Sequence, residues 1–136
     1  MTAGPAVMLD THALLWWIAG DKRLSKVAKR SIDRATRIDV SAISLWEVAM
    51  LSEKGRIELD RPIGVWANDL AVTPGVSVRP VDAPIAVAAA QLHEFHGDPA
   101  DRLIVATVID SRVALVTKDD RIRTWASSSA RVNTVW

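Results

Sequence analysis

Short, mostly apolar runs alternate with helix-length segments along most of this chain. The first run, residues 6–9, stops abruptly at the polar pair Asp10-Thr11. Apolar runs of this length are typical of strands buried in a parallel sheet, with helices making the crossovers. We therefore predict an α/β fold, a three-layer α/β/α sandwich around a central parallel sheet of about five strands. The predicted strands are residues 6–9, 38–42, 76–80, 114–117 and 132–136.

The segments between these runs carry the periodicity and end signals of helices. Ser44 and Glu47 have the spacing of a capping box, which predicts that a helix opens at Leu45. Asp98 and Pro99 suit the cap and the first turn of another helix. The predicted helices are residues 11–19, 25–37, 45–54, 63–71, 83–92, 99–110 and 121–126, with a brief extended piece at 56–59.

Length and composition limit the classes of protein that this chain can belong to. We expect residues 1–136 to form a single domain, and the 49% hydrophobic content supplies a sizeable core. A net charge of +1 gives no general basic field, so a nucleic acid would have to be held locally. The absence of cysteine excludes a disulfide scaffold and fits a reducing compartment. The first long apolar run, 13–19, is far shorter than the ~20 residues that span a bilayer, so we expect no membrane segment and a cytoplasmic location.

Carboxylates from separate parts of the chain are predicted to meet at one edge of the sheet. Asp10 and Asp119 come directly after strands, and Glu47 opens the helix after the second strand. A later helix must run against the strands to reach the start of the next one, which brings Asp98 and Asp101 in its first turn to the same edge. This carboxyl edge is the usual ligand site of an open α/β sheet.

Each of these acids also has an ordinary explanation as a helix cap or a capping-box partner. Gathered in one cleft, however, they would repel one another by roughly a few kcal/mol for each close pair. A hard divalent cation such as Mg²⁺ or Mn²⁺ would remove that repulsion, because both ions favour oxygen ligands. Such an ion would activate water and neutralise phosphoryl charge, which is the chemistry of metal-assisted phosphodiester hydrolysis.

Histidines and tryptophans permit other interpretations. His93 and His96 lie three residues apart, which makes a zinc site conceivable. The pair spans a predicted helix end without an evident third ligand, and this favours a role in the loop. The six tryptophans are many for this length; we expect most of them in the core, and a few could form a patch for a partner chain.

Four sequence blocks carry a more specific signal: LDTHALLWW (9–17), SLWEVA (44–49), HGDPADRLIVAT (96–107) and LVTKD (115–119). Together they resemble the PIN domain and, within it, the VapC-type toxins of bacterial type II toxin–antitoxin systems. The blocks occur in family order and cover nearly the whole chain. The resemblance implies a Mg²⁺- or Mn²⁺-dependent endoribonuclease that commonly forms a homodimer and is silenced by a cognate antitoxin protein.

The resemblance also implies roles for individual residues. Those that match the catalytic acidic quartet are Asp10, Glu47, Asp101 and Asp119. Those that match its metal ligands are Asp10, Asp101 and Asp119. Asp98 matches an accessory acid, and Thr11 and Thr117 match hydroxyl positions near the pocket. Asp120 competes with its neighbour Asp119, which is preferred because it completes a Thr-x-Asp pattern.

The RNA substrate has no sequence-readable code in this chain. The candidate RNA contacts are Arg102, Lys118 and Arg121, and the basic face of the helix 25–37 is a further possibility. Two other functions stay open. One is a catalytically inactive PIN-like module that binds RNA or protein, against which the intact quartet counts. The other is a phosphoryl-transfer or receiver domain, whose patterns of paired acids are not matched by Asp10-Thr11-His12.

Overall fold

Five parallel strands form one sheet at the centre of the protein. The computed structural model describes residues 5–136. The strands are β1 (Ala6–Leu9), β2 (Arg37–Ser41), β3 (Val76–Arg79), β4 (Ala114–Val116) and β5 (Thr134–Val135). Their order across the sheet is β3-β2-β1-β4-β5, and every neighbouring pair is parallel. The predicted parallel sheet is therefore confirmed.

Helices connect these strands and cover the sheet. Within residues 5–136 they are α1 (Thr11–Ala19), α2 (Lys26–Arg34), α3 (Ala42–Glu53), α4 (Ile63–Ala71), α5 (Ala83–Ala90), α6 (Pro99–Ser111) and α7 (Asp120–Ser129). In this part of the chain, no helix combines the length and the apolar character that crossing a membrane would need.

Alternate residues of β1 separate two hydrophobic cores. Val7 and Leu9 pack with side chains of α1, α2 and α4 on one face of the sheet. Met8 packs with side chains of α6 and α7 on the other face. This alternation is the ordinary consequence of a strand whose successive side chains point to opposite faces. Helices on both faces make the fold the three-layer α/β/α sandwich that the sequence predicts.

The start of α3 differs from the predicted capping box. The helix begins at Ala42, and the hydroxyl of Ser41 caps it by accepting a hydrogen bond from the N–H of Ile43 at 3.2 Å. Ser44 and Glu47 therefore lie inside the helix, and the capping-box prediction is wrong. Because Glu47 does not cap the helix, its carboxylate is free to take part in the functional site.

Other boundaries differ by a few residues. The helix predicted over 25–37 ends at Arg34, since Ala35 is extended and the chain enters β2 at Arg37. The predicted extended piece at 56–59 pairs with no strand of the described sheet. The last helix runs to Ser129 rather than to residue 126.

The strand order creates a crevice between β1 and β4. From β1 the chain builds β2 and β3 on one side, then crosses back to place β4 on the other side of β1. The helices that follow β1 and β4 thus leave the sheet on opposite faces, which opens a ligand crevice at the carboxyl ends of these two strands. Asp10 follows β1 there, and its backbone N–H donates to the carbonyl of Val116 at 3.1 Å.

Val105→Ala tests the packing of the core between α6 and the sheet. Val105 is fully buried, so loss of two methyl groups should lower the free energy of unfolding by about 2–3 kcal/mol in urea denaturation. The matched control is Val87→Ala at an exposed position of α5, with an expected change below about 0.5 kcal/mol. Equal losses in the two variants would contradict this packing.

Candidate active site

A cavity of about 540 Å³ opens at the carboxyl edge of the sheet. The carboxylates that line it are those of Asp10, Glu47, Asp98, Asp101 and Asp119. They come from four separate segments of the chain, as the sheet geometry predicts. Thr11, Lys118 and Arg121 line the same cavity. Carboxylates that could each be explained separately by helix capping thus line one cavity.

Asp10 is the most deeply buried of these carboxylates. Its Oδ1 accepts the N–H of Ala13 at 2.9 Å, and its Oδ2 accepts a short hydrogen bond from the hydroxyl of Thr117. Thr117 in turn accepts the N–H of Asp119 at 3.1 Å. Burial raises the pKa of Asp10, and the hydrogen bond from Thr117 opposes that shift. The carboxylate is therefore held in one orientation from two sides.

Glu47 reaches the cavity from inside α3. Its carboxylate accepts a short hydrogen bond from the hydroxyl of Thr11, which also lies 3.0 Å from the hydroxyl of Ser44. Burial raises the pKa of Glu47, the hydrogen bond from Thr11 lowers it, and the nearby charge of Asp98 raises it again. Thr11 and Thr117 thus have the same role, since the hydroxyl of Thr11 orients Glu47 and that of Thr117 orients Asp10.

Asp98 and Asp101 have different positions in the first turn of α6. Asp98 caps the helix, because its Oδ1 accepts the N–H of Asp101 at 3.0 Å. The side chain of Asp101 does not return to the cap, since the N–H of Asp98 donates to Nδ1 of His96 at 3.4 Å. Burial, followed by the charges of Asp98, Asp119, Glu47 and Asp10, raises the pKa of Asp101 to about 7. The pKa of Asp101 therefore reflects both its burial and the charges of all four other acids of the cavity.

His96 lies against Asp101, a contact that sequence reasoning missed. Its Nε2 is 3.3 Å from Oδ2 of Asp101, and its ring stacks on Phe95 with 4.4 Å between centroids. Burial lowers the pKa of His96, which favours a neutral ring. Because Nδ1 accepts the N–H of Asp98, the remaining proton belongs on Nε2, which is buried near Asp101 and makes no hydrogen bond within residues 5–136. The five-residue separation across a helix start gave no sequence signal for this pair.

Arg102, which the sequence predicts to contact RNA, does not line the carboxylate cavity. Its guanidinium donates to four backbone carbonyls, those of Ala89, Leu92, Phe95 and His96, at 2.7–3.3 Å. These bonds hold the segment between α5 and α6, which delivers Asp98 and Asp101 to the cavity. Arg102 is therefore a structural residue of this loop.

The neighbouring acids Asp119 and Asp120 have different surroundings. Oδ1 of Asp119 caps α7 by accepting the N–H groups of Arg121 and Ile122, while the residue also lines the cavity. The side chain of Asp120 is 95% exposed and lies 3.7 Å from Arg123. Asp120 does not line the carboxylate cavity. The geometry supports Asp119 over its neighbour.

Positive groups lie at the rim of the cavity. Lys118 is exposed, and Arg121 is 3.9 Å from Oδ2 of Asp119. Arg23, His12 and Trp16 also line the cavity. Arg23 and Trp16 were not predicted as site residues, because only the tertiary fold brings α1 and the turn after it beside β4.

The donor set suits a hard divalent cation. Five carboxylates present oxygen ligands, the kind that Mg²⁺ and Mn²⁺ prefer, and burial followed by their mutual repulsion raises the pKa of Asp101. Within residues 5–136, no three or more acidic or histidine side chains are placed so that they could hold a metal ion together. Water and substrate oxygens would therefore have to complete the coordination of an ion held here.

The fold and the site define a known class of protein. The PIN domain family matches residues 7–126, and the chain belongs to this family. Ribonucleases of the family are generally metal dependent. Among curated proteins, the chain is 44% identical to Ribonuclease VapC22 of Mycobacterium tuberculosis strain H37Rv, over 96% of this chain and 98% of that protein.

Solved structures share the fold at low sequence identity. VapBC2 from Rickettsia felis bound to a promoter DNA fragment matches with a TM-score of 0.65 at 14% identity, covering 95% of this chain and 96% of that one. A toxin-antitoxin complex from Klebsiella pneumoniae matches with a TM-score of 0.60 at 21% identity, covering 83% and 86% of the two chains. At these identities the likeness supports the fold.

The pKa of Asp101 predicts how stability depends on pH without divalent ions. Folding raises this pKa from its ordinary 3.8 to about 7, so the native state binds the proton more tightly than the unfolded chain. The resulting stabilisation is complete below about pH 4 and is lost as the pH rises through 7. Asp101→Asn should therefore lose less stability over this range, with a Tm above that of the wild type by on the order of 5 °C at neutral pH. Calorimetry in chelator checks this, and parallel pH curves would contradict it.

Arg102→Lys tests the structural role of Arg102. Lysine cannot reproduce the planar fork, so the free energy of unfolding should fall by about 1–3 kcal/mol in urea denaturation. The control is Arg131→Lys at an exposed position, which should change little. An undiminished stability of Arg102→Lys would show that the four carbonyl contacts are dispensable.

Proposed function

We propose that this protein is the toxin of a type II toxin–antitoxin system, an endoribonuclease that hydrolyses RNA phosphodiester bonds with Mg²⁺, or with Mn²⁺ as a substitute. The observation that carries the proposal is the set of five carboxylates around one cavity at the topological switch point of a PIN domain. The similarity to a protein named as a ribonuclease supports RNA as the substrate. We further propose that residues 1–136 act as one domain.

The metal ligands in this proposal are Asp10, Asp101 and Asp119. When bound, a divalent ion lowers the pKa of a water molecule and neutralises charge on the phosphoryl group. Thr117 holds the carboxylate of Asp10, and the cap of α7 holds that of Asp119. Both acids are thereby fixed before substrate arrives, which lowers the cost of ordering them.

Glu47 and Asp98 complete the acidic set. Glu47, oriented by Thr11 and with a raised pKa, is suited to hold a proton taken from the attacking water. Asp98 supports the pocket by capping α6 and adding negative charge beside Asp101. Nε2 of His96 lies 3.3 Å from Oδ2 of Asp101 but makes no hydrogen bond with it.

RNA would reach the acids past positive groups at the rim. Lys118 and Arg121 both line the cavity, and we assign them contacts to the RNA backbone. No net positive field attracts RNA to this protein as a whole, so these local charges have to offset the repulsion between phosphates and carboxylates.

The partners follow from the same proposal. Structures similar in fold are titled as toxin-antitoxin complexes, and we infer that a cognate antitoxin protein covers the acidic cavity of this chain. We infer a homodimer and a cytoplasmic location from the resemblance to VapC-type toxins.

Cleavage of RNA tests the proposal. Wild-type protein should cleave single-stranded RNA in Mg²⁺ or Mn²⁺ and not in chelator, and Asp101→Asn should lower the rate by on the order of 100-fold or more. The matched control is Asp120→Asn, which removes a carboxylate outside the cavity and should keep wild-type activity. Circular dichroism shows that both variants are folded. Equal cleavage with and without chelator would contradict the mechanism, and RNA binding without cleavage would favour the inactive binding module.

A further inference from the structure

A second cavity adjoins the carboxylate cavity. It has a volume of about 630 Å³, and its lining includes side chains of α1 and of residues 56–60. Three residues, His12, Trp16 and Arg23, line both cavities and form a shared wall between them. A polymer that extends from the carboxylates in this direction must pass over that wall.

Trp16 is one of the three residues of the shared wall and contacts two cations. The guanidinium carbon of Arg23 is 5.2 Å from the centroid of the Trp16 ring, and Nζ of Lys118 is 5.8 Å from it. Both distances are those of cation–π interactions. The rings of His12 and Trp136 pack at 5.8 and 5.7 Å from the same indole. The indole is thus fixed by its neighbours and in turn positions two positive groups.

Both cations keep hydrogen-bond donors available. Arg23 donates through Nε and Nη2 to Asp21 at 3.1 and 2.8 Å, which orients its guanidinium. The remaining N–H groups of this guanidinium have no partner among residues 5–136. The ammonium of Lys118 likewise makes no hydrogen bond or ion pair with the part of the chain that the structure describes. Two positioned charges with unused donors are suited to phosphate oxygens.

We propose that Trp16, Arg23 and Lys118 form a phosphate-binding subsite for single-stranded RNA beside the bond that is cleaved. This inference rests on the proposed ribonuclease function and adds a path for the strand. Arg23 and Lys118 contact a phosphate next to the scissile one, and Trp16 is a positioning residue that keeps both cations at the rim. The second cavity also has the acids Asp21, Glu58 and Asp60 in its lining, so the phosphate is placed at the shared wall. There the unused donors of Arg23 and Lys118 favour a phosphate over an apolar protein segment, which would desolvate both cations at a cost.

Salt dependence of RNA binding tests this subsite. The probe is a fluorescein-labelled pool of short single-stranded RNA oligonucleotides, titrated by anisotropy in chelator over a range of KCl concentrations against Asp101→Asn protein, so that cleavage is suppressed. In this background, Arg23→Gln and Lys118→Gln should each weaken binding about tenfold at low salt. Each should also reduce the slope of log affinity against log salt by about 0.7, the value for one phosphate contact with a single strand.

Variants of Trp16 separate positioning from general structure. Trp16→Leu should reduce the salt slope by more than either glutamine variant, because both cations lose their aromatic contact. Trp16→Phe keeps an aromatic face and should restore most of the slope. The control is Lys22→Gln, an exposed cation that lines neither cavity, and its slope should equal that of the parent. Both glutamine substitutions are at exposed positions, so they test the subsite even where Trp16→Leu fails to fold.

The outcomes distinguish this inference from the proposed function. RNA that binds Arg23→Gln and Lys118→Gln with the parent slope would overturn the subsite, while metal-dependent cleavage by the wild type would leave the ribonuclease standing. A loss of antitoxin binding without any change in RNA binding would make the wall a protein-binding surface and would also overturn the subsite. If the wild type neither binds nor cleaves RNA, both conclusions fail.

Discussion

Repulsion among carboxylates at the carboxyl edge of the sheet is the constraint on which the site depends. Five acids line one cavity, and burial, followed by the charges of the other four acids, raises the pKa of Asp101 to about 7. A fold selected for stability alone would gain by replacing some of these acids with neutral caps, since serine or asparagine caps a helix as well. The protein instead keeps an arrangement that is costly without a cation and favourable with one.

The topology determines how these acids meet. Parallel strands place all their carboxyl ends at one edge, and the crossing back from β3 to β4 opens the crevice beside β1. The hydroxyls of Thr11 and Thr117 then bind two of the carboxylates, so their orientations do not depend on metal. The guanidinium of Arg102 stabilises the loop that brings Asp98 and Asp101 into place. The carboxylates of the site are thus held in place by two neutral hydrogen-bond donors, Thr11 and Thr117, and by one structural cation, Arg102.

Much of this arrangement could be predicted from the sequence, because strand runs, caps and parallel connectivity are local or topological properties. Contacts between distant segments could not. Glu47 was assigned to a capping box because Ser44 has the right spacing, whereas Ser41 is the cap and the partner of Glu47 is Thr11, far away in the chain. The sequence predicts Arg102 as an RNA contact because it is a basic residue beside the acids, and only the folded loop shows its carbonyl partners. Spacing identifies the residues of a site more readily than the partners of their side chains.

The most direct test of the central claim is the release of protons when Mg²⁺ binds. Because the pKa of Asp101 is raised to about 7, this acid keeps a proton near neutral pH that it would ordinarily have lost, and a metal ligand must be deprotonated. Calorimetric titration in buffers of different ionisation enthalpy should therefore show release of protons from the wild type at neutral pH, and much less from Asp101→Asn. Binding of Mg²⁺ with no proton release, or with equal release from both proteins, would contradict the claim that the cation relieves a carboxylate cluster centred on Asp101.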